Sequence, residues 1–235
     1  MTGVQTCALP ICSAAGVIQH RLAQPVTVAP GASLRLSVNR PRRARIEAHH
    51  SGTHLLHWAL RKVLGDTVAQ KGSYVGPDRL RFDFSHPEAV KNDELSEIGR
   101  LVQEKVASAD PVRWYERAFD EVRGDRTILQ FFGEKYGERV RVVDIGGYSK
   151  ELCGGTHVRS TADIGFLKVI SEGAIAAGVR RIEAVAGPAV VDYVAHERAR
   201  QEERHAQLQK KRADIAALLD LPQNVSPAEA WAAFS

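Results

Sequence analysis

Four side chains in two short stretches have the types and spacing of a metal site. His50 and His54 stand four apart in HHSGTH. On a helix, residues at i and i+4 lie one above the other, so two imidazoles placed this way can share one ion. Alone, the pair is weak evidence in a chain with 9 histidines. The second stretch is Cys153-Gly154-Gly155-Thr156-His157. Two glycines between a Cys and a His favour a turn. Their backbone freedom lets both side chains curl toward one point and lets main chain approach a ligand closely. Cys and neutral His suit zinc, and His50, His54, Cys153 and His157 make a candidate tetrahedral group. His57 extends the same helix face and is a rival ligand, whereas His49 points about a hundred degrees away. The alternative for the whole set is a buried free cysteine beside core histidines. A nucleophilic Cys153 is disfavoured, because no separate general base is evident beside it.

Such a group needs a helix for the histidines and a turn for the second pair. The spacing of Ile46, His50, Thr53/His54, His57 and Leu60/Arg61 predicts a helix over 42–64, opened near Pro41 and ended by Gly65-Asp66. Strands are predicted at 67–75 and 79–84, the second with Leu80, Phe82 and Phe84 alternating with charged residues. An amphipathic helix follows at 92–108. Weak strand signals stand at 112–115 and 127–132, and clear ones at 139–145, 164–170 and 179–187. A charged helix runs from Pro188 to about Leu219, its apolar seam of Val194, Leu208 and Ile215 too sparse to predict dimerisation. Ahead of the metal helix, 26–28 and 33–38 look like a hairpin around Pro30-Gly31. Without a steady βαβ rhythm, the class is α+β, with a mixed or antiparallel sheet and packed helices.

Composition bounds the partners. Lysine plus arginine exceed acidic residues by 32 to 28, a mildly basic balance that allows a polyanionic partner. Arg40, Arg42, Arg43 and Arg45 cluster before the metal helix, and Arg79/Arg81 and Arg180/Arg181 add cationic pairs. These can hold a nucleic acid by its phosphates, although a solvated face is the commoner role for any one of them. Three cysteines make no disulfide framework, so a reducing compartment, the cytoplasm, is expected. No apolar run approaches the ~18 residues of a membrane span.

HHSGTHLLHWAL, QKGSYVGPDRLRFDFSH, FFGEKYGE, ELCGGTHV and GVRRIEAVAGP together resemble the editing domain of alanyl-tRNA synthetases, over about residues 40–188. Freestanding editing proteins and the threonyl-tRNA synthetase editing domain share the site, and GEKYGE and GVRRIEAVAG favour the alanyl family. The resemblance implies one zinc ion on His50, His54, Cys153 and His157. It implies Thr53, Gln70 and Ser73 as residues of the reacting site. The family's usual Asn before the first ligand is His49 here. The implied reaction hydrolyses Ser or Gly esters of tRNA(Ala). Thr53 is the candidate partner for the serine hydroxyl, and Arg42, Arg43, Arg79, Arg81, Gly154 and Gly155 are candidate tRNA contacts. A freestanding editor, or an acceptor-end-binding module with a purely structural zinc, are the alternatives. No ATP-binding or amino-acid-activating motif is present, so the remainder of a synthetase chain is an expected partner.

The same resemblance divides the chain. Residues 13–39 are expected to end a β-barrel linker, 40–188 to form the editing domain, and 189–235 to begin a truncated C-terminal region. Residues 1–12 are expected to be non-native, because MTGVQTCALPI resembles a translated sequencing adapter; Cys7 and Cys12 would then carry no function. A signal peptide is the weaker reading of that start, having no basic region and too short an apolar run.

Overall fold

A computed structural model describes residues 9–12, 18–21, 27–29, 31–33, 35, 37–130, 137–218 and 226. The chain divides into two units, Met1–Val38 and Asn39–Ser235. In the first, β1 (Leu9–Cys12) and β2 (Ile18–Arg21) pair antiparallel. Of the hairpin expected at 26–38, the described residues hold no strand and are exposed, and 26, 30, 34 and 36 lie outside the described residues. The expected turn does form. The Ala32 N–H donates to the Ala29 carbonyl, and Gly31 takes the positive φ of 81° that such a turn asks of its third residue.

The second unit opens with α1 (Arg40–Leu64), capped by the Asn39 side chain, which accepts from the Arg42 N–H at 3.1 Å. β3 (Gln70–Val75), β4 (Leu80–Ser85), β8 (Leu167–Ala176) and β9 (Val179–Ala186) form one antiparallel sheet in the order β3-β4-β9-β8. Leu80, Phe82 and Phe84 point into the core on one face. There they meet Leu55, Leu56, Ala59 and Leu60 of α1 and Ile98 and Val102 of α2 (Asn92–Ala107). The other face carries Arg81, Asp83 and Arg181. A fully buried Leu or Phe contributes about 1.5–3 kcal/mol, so this continuous cluster is the main source of stability.

A second antiparallel sheet, β5-β6-β7, joins Val112–Ala118, Arg139–Ile145 and Ser149–Leu152. A short helix, α3 (Phe119–Val122), follows β5, and Val122 packs with Ile128, Val140, Val142 and Leu152 in a smaller cluster. α4 (Pro188–Leu218) extends from the end of β9, with Val191, Val194, Leu208 and Ile215 exposed. The α+β class and antiparallel sheets match the sequence reading. Three details differ. Within 127–132 only Leu129 makes a bridge, parallel to Glu151, and 131–132 lie outside the described residues. The strand expected from 164 begins at Leu167, because Thr161–Ile164 closes a 3-10 turn capped by Ser160. β7 was not expected. No helix among the described residues is long and apolar enough to cross a membrane.

Candidate metal centre

α1 and the segment after β7 bring the two halves of the proposed donor set together. One donor atom each from His50, His54, Cys153 and His157 lies within 4.8 Å of every other. Cys153 Sγ is 3.3 Å from His50 Nε2 and 3.4 Å from His157 Nε2. In a tetrahedral zinc site with ~2.3 Å Zn–S and ~2.0–2.1 Å Zn–N bonds, the S···N edge is about 3.5 Å. The donors therefore stand near the corners such an ion requires. His54 Nε2 is buried and has no hydrogen-bond partner among the described residues. A buried polar atom left unpaired is costly; His49 Nδ1 and His57 Nε2 are unpaired too, but only His54 Nε2 belongs to a group of donors that a cation would complete. Three imidazoles and one thiolate are a group that can hold a metal, of the kind zinc takes.

The charge state of the group follows from its surroundings. Burial alone would raise the Cys153 thiol, but hydrogen bonds to His157 and His50 and the charge of nearby His54 bring it down to about 3. Burial lowers His157 to about 4. Burial also opposes a charged His54, yet Glu151 and Cys153 hold its proton up to about 10. The sulfur is thus a thiolate, the form that binds metal and the form a nearby cation stabilises.

Each candidate donor is held by a different device. Glu151 Oε2 lies 2.7 Å from His54 Nδ1, and Oε1 lies 2.9 Å from His57 Nδ1. His57 therefore stands behind the donor group, on the carboxylate and 5.0 Å from the Phe82 ring, and is not one of the four. Ser51 Oγ lies 3.2 Å from His157 Nδ1 and accepts from the Val158 N–H at 3.1 Å. The His50 ring packs on Gly155, where a Cβ would overlap the imidazole, so only glycine fits. Arg141 closes the turn. Its Nε donates to the Cys153 carbonyl at 2.8 Å, its Nη2 donates to the Gly155 carbonyl, and its guanidinium lies over exposed Trp114.

Glu151, Ser51 and Arg141 were missed by sequence reasoning. Glu151 opens the ELCGGTH motif, and Ser51 stands four residues before the core Leu55, so the local sequence held a cue for both. Their burial depends on the tertiary fold.

The other proposed residues divide. The Thr53 hydroxyl is buried and donates to the His49 carbonyl at 2.8 Å, which leaves its oxygen free only to accept. Ser73 pairs with Phe82 in the β3-β4 register, so it stands on the sheet face that turns to α1. Gln70 Nε2 lies 3.3 Å from Ser73 Oγ. His49 faces away, as its spacing requires, and its Nε2 accepts from the Ala186 N–H at 3.0 Å, tying α1 to the end of β9. Among the cations, Arg42 is exposed and Arg43 half-buried, and neither makes an ion pair among the described residues. Arg79 and Arg81 lie over the Tyr74 ring, at 5.8 and 5.4 Å from its centre, and Arg79 also pairs with Asp78 at 3.1 Å. Arg45 pairs with Asp192, Arg180 with Glu172 and Arg181 with Asp83, so these three are engaged within the fold.

Residues 140–183 match the family described as Threonyl and Alanyl tRNA synthetase second additional domain. The chain is 53% identical over 199 residues to an alanine–tRNA ligase of Methylacidiphilum infernorum, covering 85% of this chain and 22% of that one. It is 49% identical over 214 residues to the alanine–tRNA ligase of Opitutus terrae, covering 88% and 22%. The ligase of Xanthomonas oryzae pv. oryzae is 52% identical over 174 residues, covering 74% and 20%. This chain thus spans about a fifth of the length of these relatives. Over most of its own length it is similar to one segment of alanine–tRNA ligases, and within that segment it matches the threonyl and alanyl second additional domain.

Proposed function

We propose that this chain carries an editing deacylase site, which hydrolyses Ser and Gly esters of tRNA(Ala) with one zinc ion held by His50, His54, Cys153 and His157. The observation that carries the reading is the buried, unpaired His54 Nε2 beside a cysteine and two further histidines at tetrahedral spacing, in a chain similar to alanine–tRNA ligases. Bound there, zinc would polarise the ester carbonyl or activate water. Water adds its oxygen to the carbonyl carbon, the bond to the ribose oxygen breaks, and the free amino acid and a ribose hydroxyl result.

The chain's own residues supply selection. A pocket sized for alanine excludes glycine weakly, because one methyl is worth about 1–3 kcal/mol, whereas a site built to bond a hydroxyl discriminates by about 10⁴–10⁵. Thr53 Oγ1 has spent its proton on His49 and can only accept. A serine hydroxyl would donate to it, and alanine would leave it unpaired. Gln70 and Ser73 orient the water or the amino acid. Arg42, Arg43, Arg79 and Arg81 hold the acceptor end through phosphates, and the Gly154-Gly155 backbone lies close to the ester.

Four protein ligands also describe a closed, structural zinc site, and that favours the second reading, an acceptor-end-binding module. Deacylation of Ser-tRNA(Ala) by the purified chain, before and after chelation, separates the two. The account expects hydrolysis that is lost with the metal and regained on zinc addition. Full activity in verified metal-free protein would refute it.

A further inference from the structure

We propose that Glu151 is the positioning residue of the metal centre, joined with His57 in a buried His–Glu–His bridge that fixes which nitrogen His54 presents to the ion. The inference rests on the metal reading of the site and is independent of the ester chemistry.

Glu151 sits in β7, two residues before the ligand Cys153, and is only 2% exposed. Both of its oxygens are engaged, one by each imidazole. An ionised carboxylate only accepts hydrogen bonds, so each imidazole carries a proton on Nδ1. In His54 that leaves Nε2 as the nitrogen that presents its lone pair to an ion, its own proton being given up when metal binds, and Nε2 is the buried atom without a partner. A ligand imidazole that donates its other N–H to a carboxylate has its ring orientation and tautomer fixed and its donor nitrogen made more basic. His57 has a different part. Its ring rests against Phe82, its Nδ1 holds the second oxygen, and it contributes no atom to the donor group. Clamped through both oxygens, the carboxylate cannot swing away, and the His54 ring is set before an ion arrives. The register adds a constraint. Glu151 pairs with Val143 in the centre of its sheet, and the Leu152 N–H donates to the Leu129 carbonyl at 3.1 Å, so the strand that carries the carboxylate is tied on both sides.

The test is the affinity of the metal-free chain for cobalt(II) and zinc(II), by competition with a chromophoric chelator, together with the visible spectrum of the cobalt form. Glu151→Gln keeps the shape but can accept from only one of the two imidazoles. His57→Phe removes the outer clamp and keeps an apolar neighbour for Phe82. For Glu151→Gln we expect a 10–100-fold loss of cobalt affinity and altered ligand-field bands, with unchanged far-ultraviolet circular dichroism. His57→Phe should move both readouts in the same direction by a smaller factor. A Glu151→Gln chain with wild-type affinity and spectrum overturns the inference. If that variant does not fold, a wild-type cobalt spectrum in His57→Phe overturns it instead. A wild-type chain that binds no cobalt would refute the inference together with the metal reading. Absent ester hydrolysis beside intact cobalt binding would refute the deacylase reading alone.

Discussion

At the scale of single residues, the site is a set of close fits. Gly155 abuts the His50 ring, so Gly155→Ala must displace that imidazole or the turn behind it. Zinc affinity of this variant, measured against a competing chelator, should fall at least tenfold, whereas Gly154→Ala, which meets nothing within 4 Å, should be near wild type. His49 gives a pH prediction. Burial lowers its pKa from 6.5, so the unfolded chain takes up a proton where the folded one does not. Its contribution is complete above pH 6.5 and is lost as pH falls below that value toward the folded pKa. Urea unfolding followed from about pH 7.5 to about pH 5 should show a smaller loss in His49→Asn than in wild type. An equal loss would exclude His49 as a source. The four donors were legible because their types and spacings are themselves the signal. Glu151 was not: the chain has 28 acidic residues, and only the fold shows which one is buried between two imidazoles.

At the scale of elements, α1 presents the two histidines and Ser51 fastens the second pair to it. Ser51→Ala leaves the buried Val158 N–H without its acceptor and frees His157 Nδ1. The expected cost is about 1–3 kcal/mol by chemical denaturation, together with weaker zinc binding. A neutral result in both would show that Ser51 does not join the two segments. α2 and β4 were read correctly because each buries a regular face, while α1 and β9 were also expected although their burial runs through consecutive residues. β7 was not, since SKEL carries two charges and only four residues. It is a strand because β6 lies beside it and its Ser149, Glu151 and Leu152 are buried.

At the scale of the molecule, the two halves of the donor set lie about a hundred residues apart in sequence and are joined by the large core cluster that packs α1 on the four-stranded sheet. The candidate centre draws its donors from the first helix of the second unit and from the segment after its second sheet. Residue types suggested the four-residue group, and the resemblance carried by five separate motifs tied its two stretches together, since nothing local to either stretch points to the other. The most direct test of the central claim is elemental analysis of the purified chain after removal of free metal, alongside His54→Ala and Cys153→Ser. The account predicts one zinc per wild-type chain and little or none in either variant. Wild-type chain free of zinc and unable to take it up, or variants that retain a full equivalent, would contradict it.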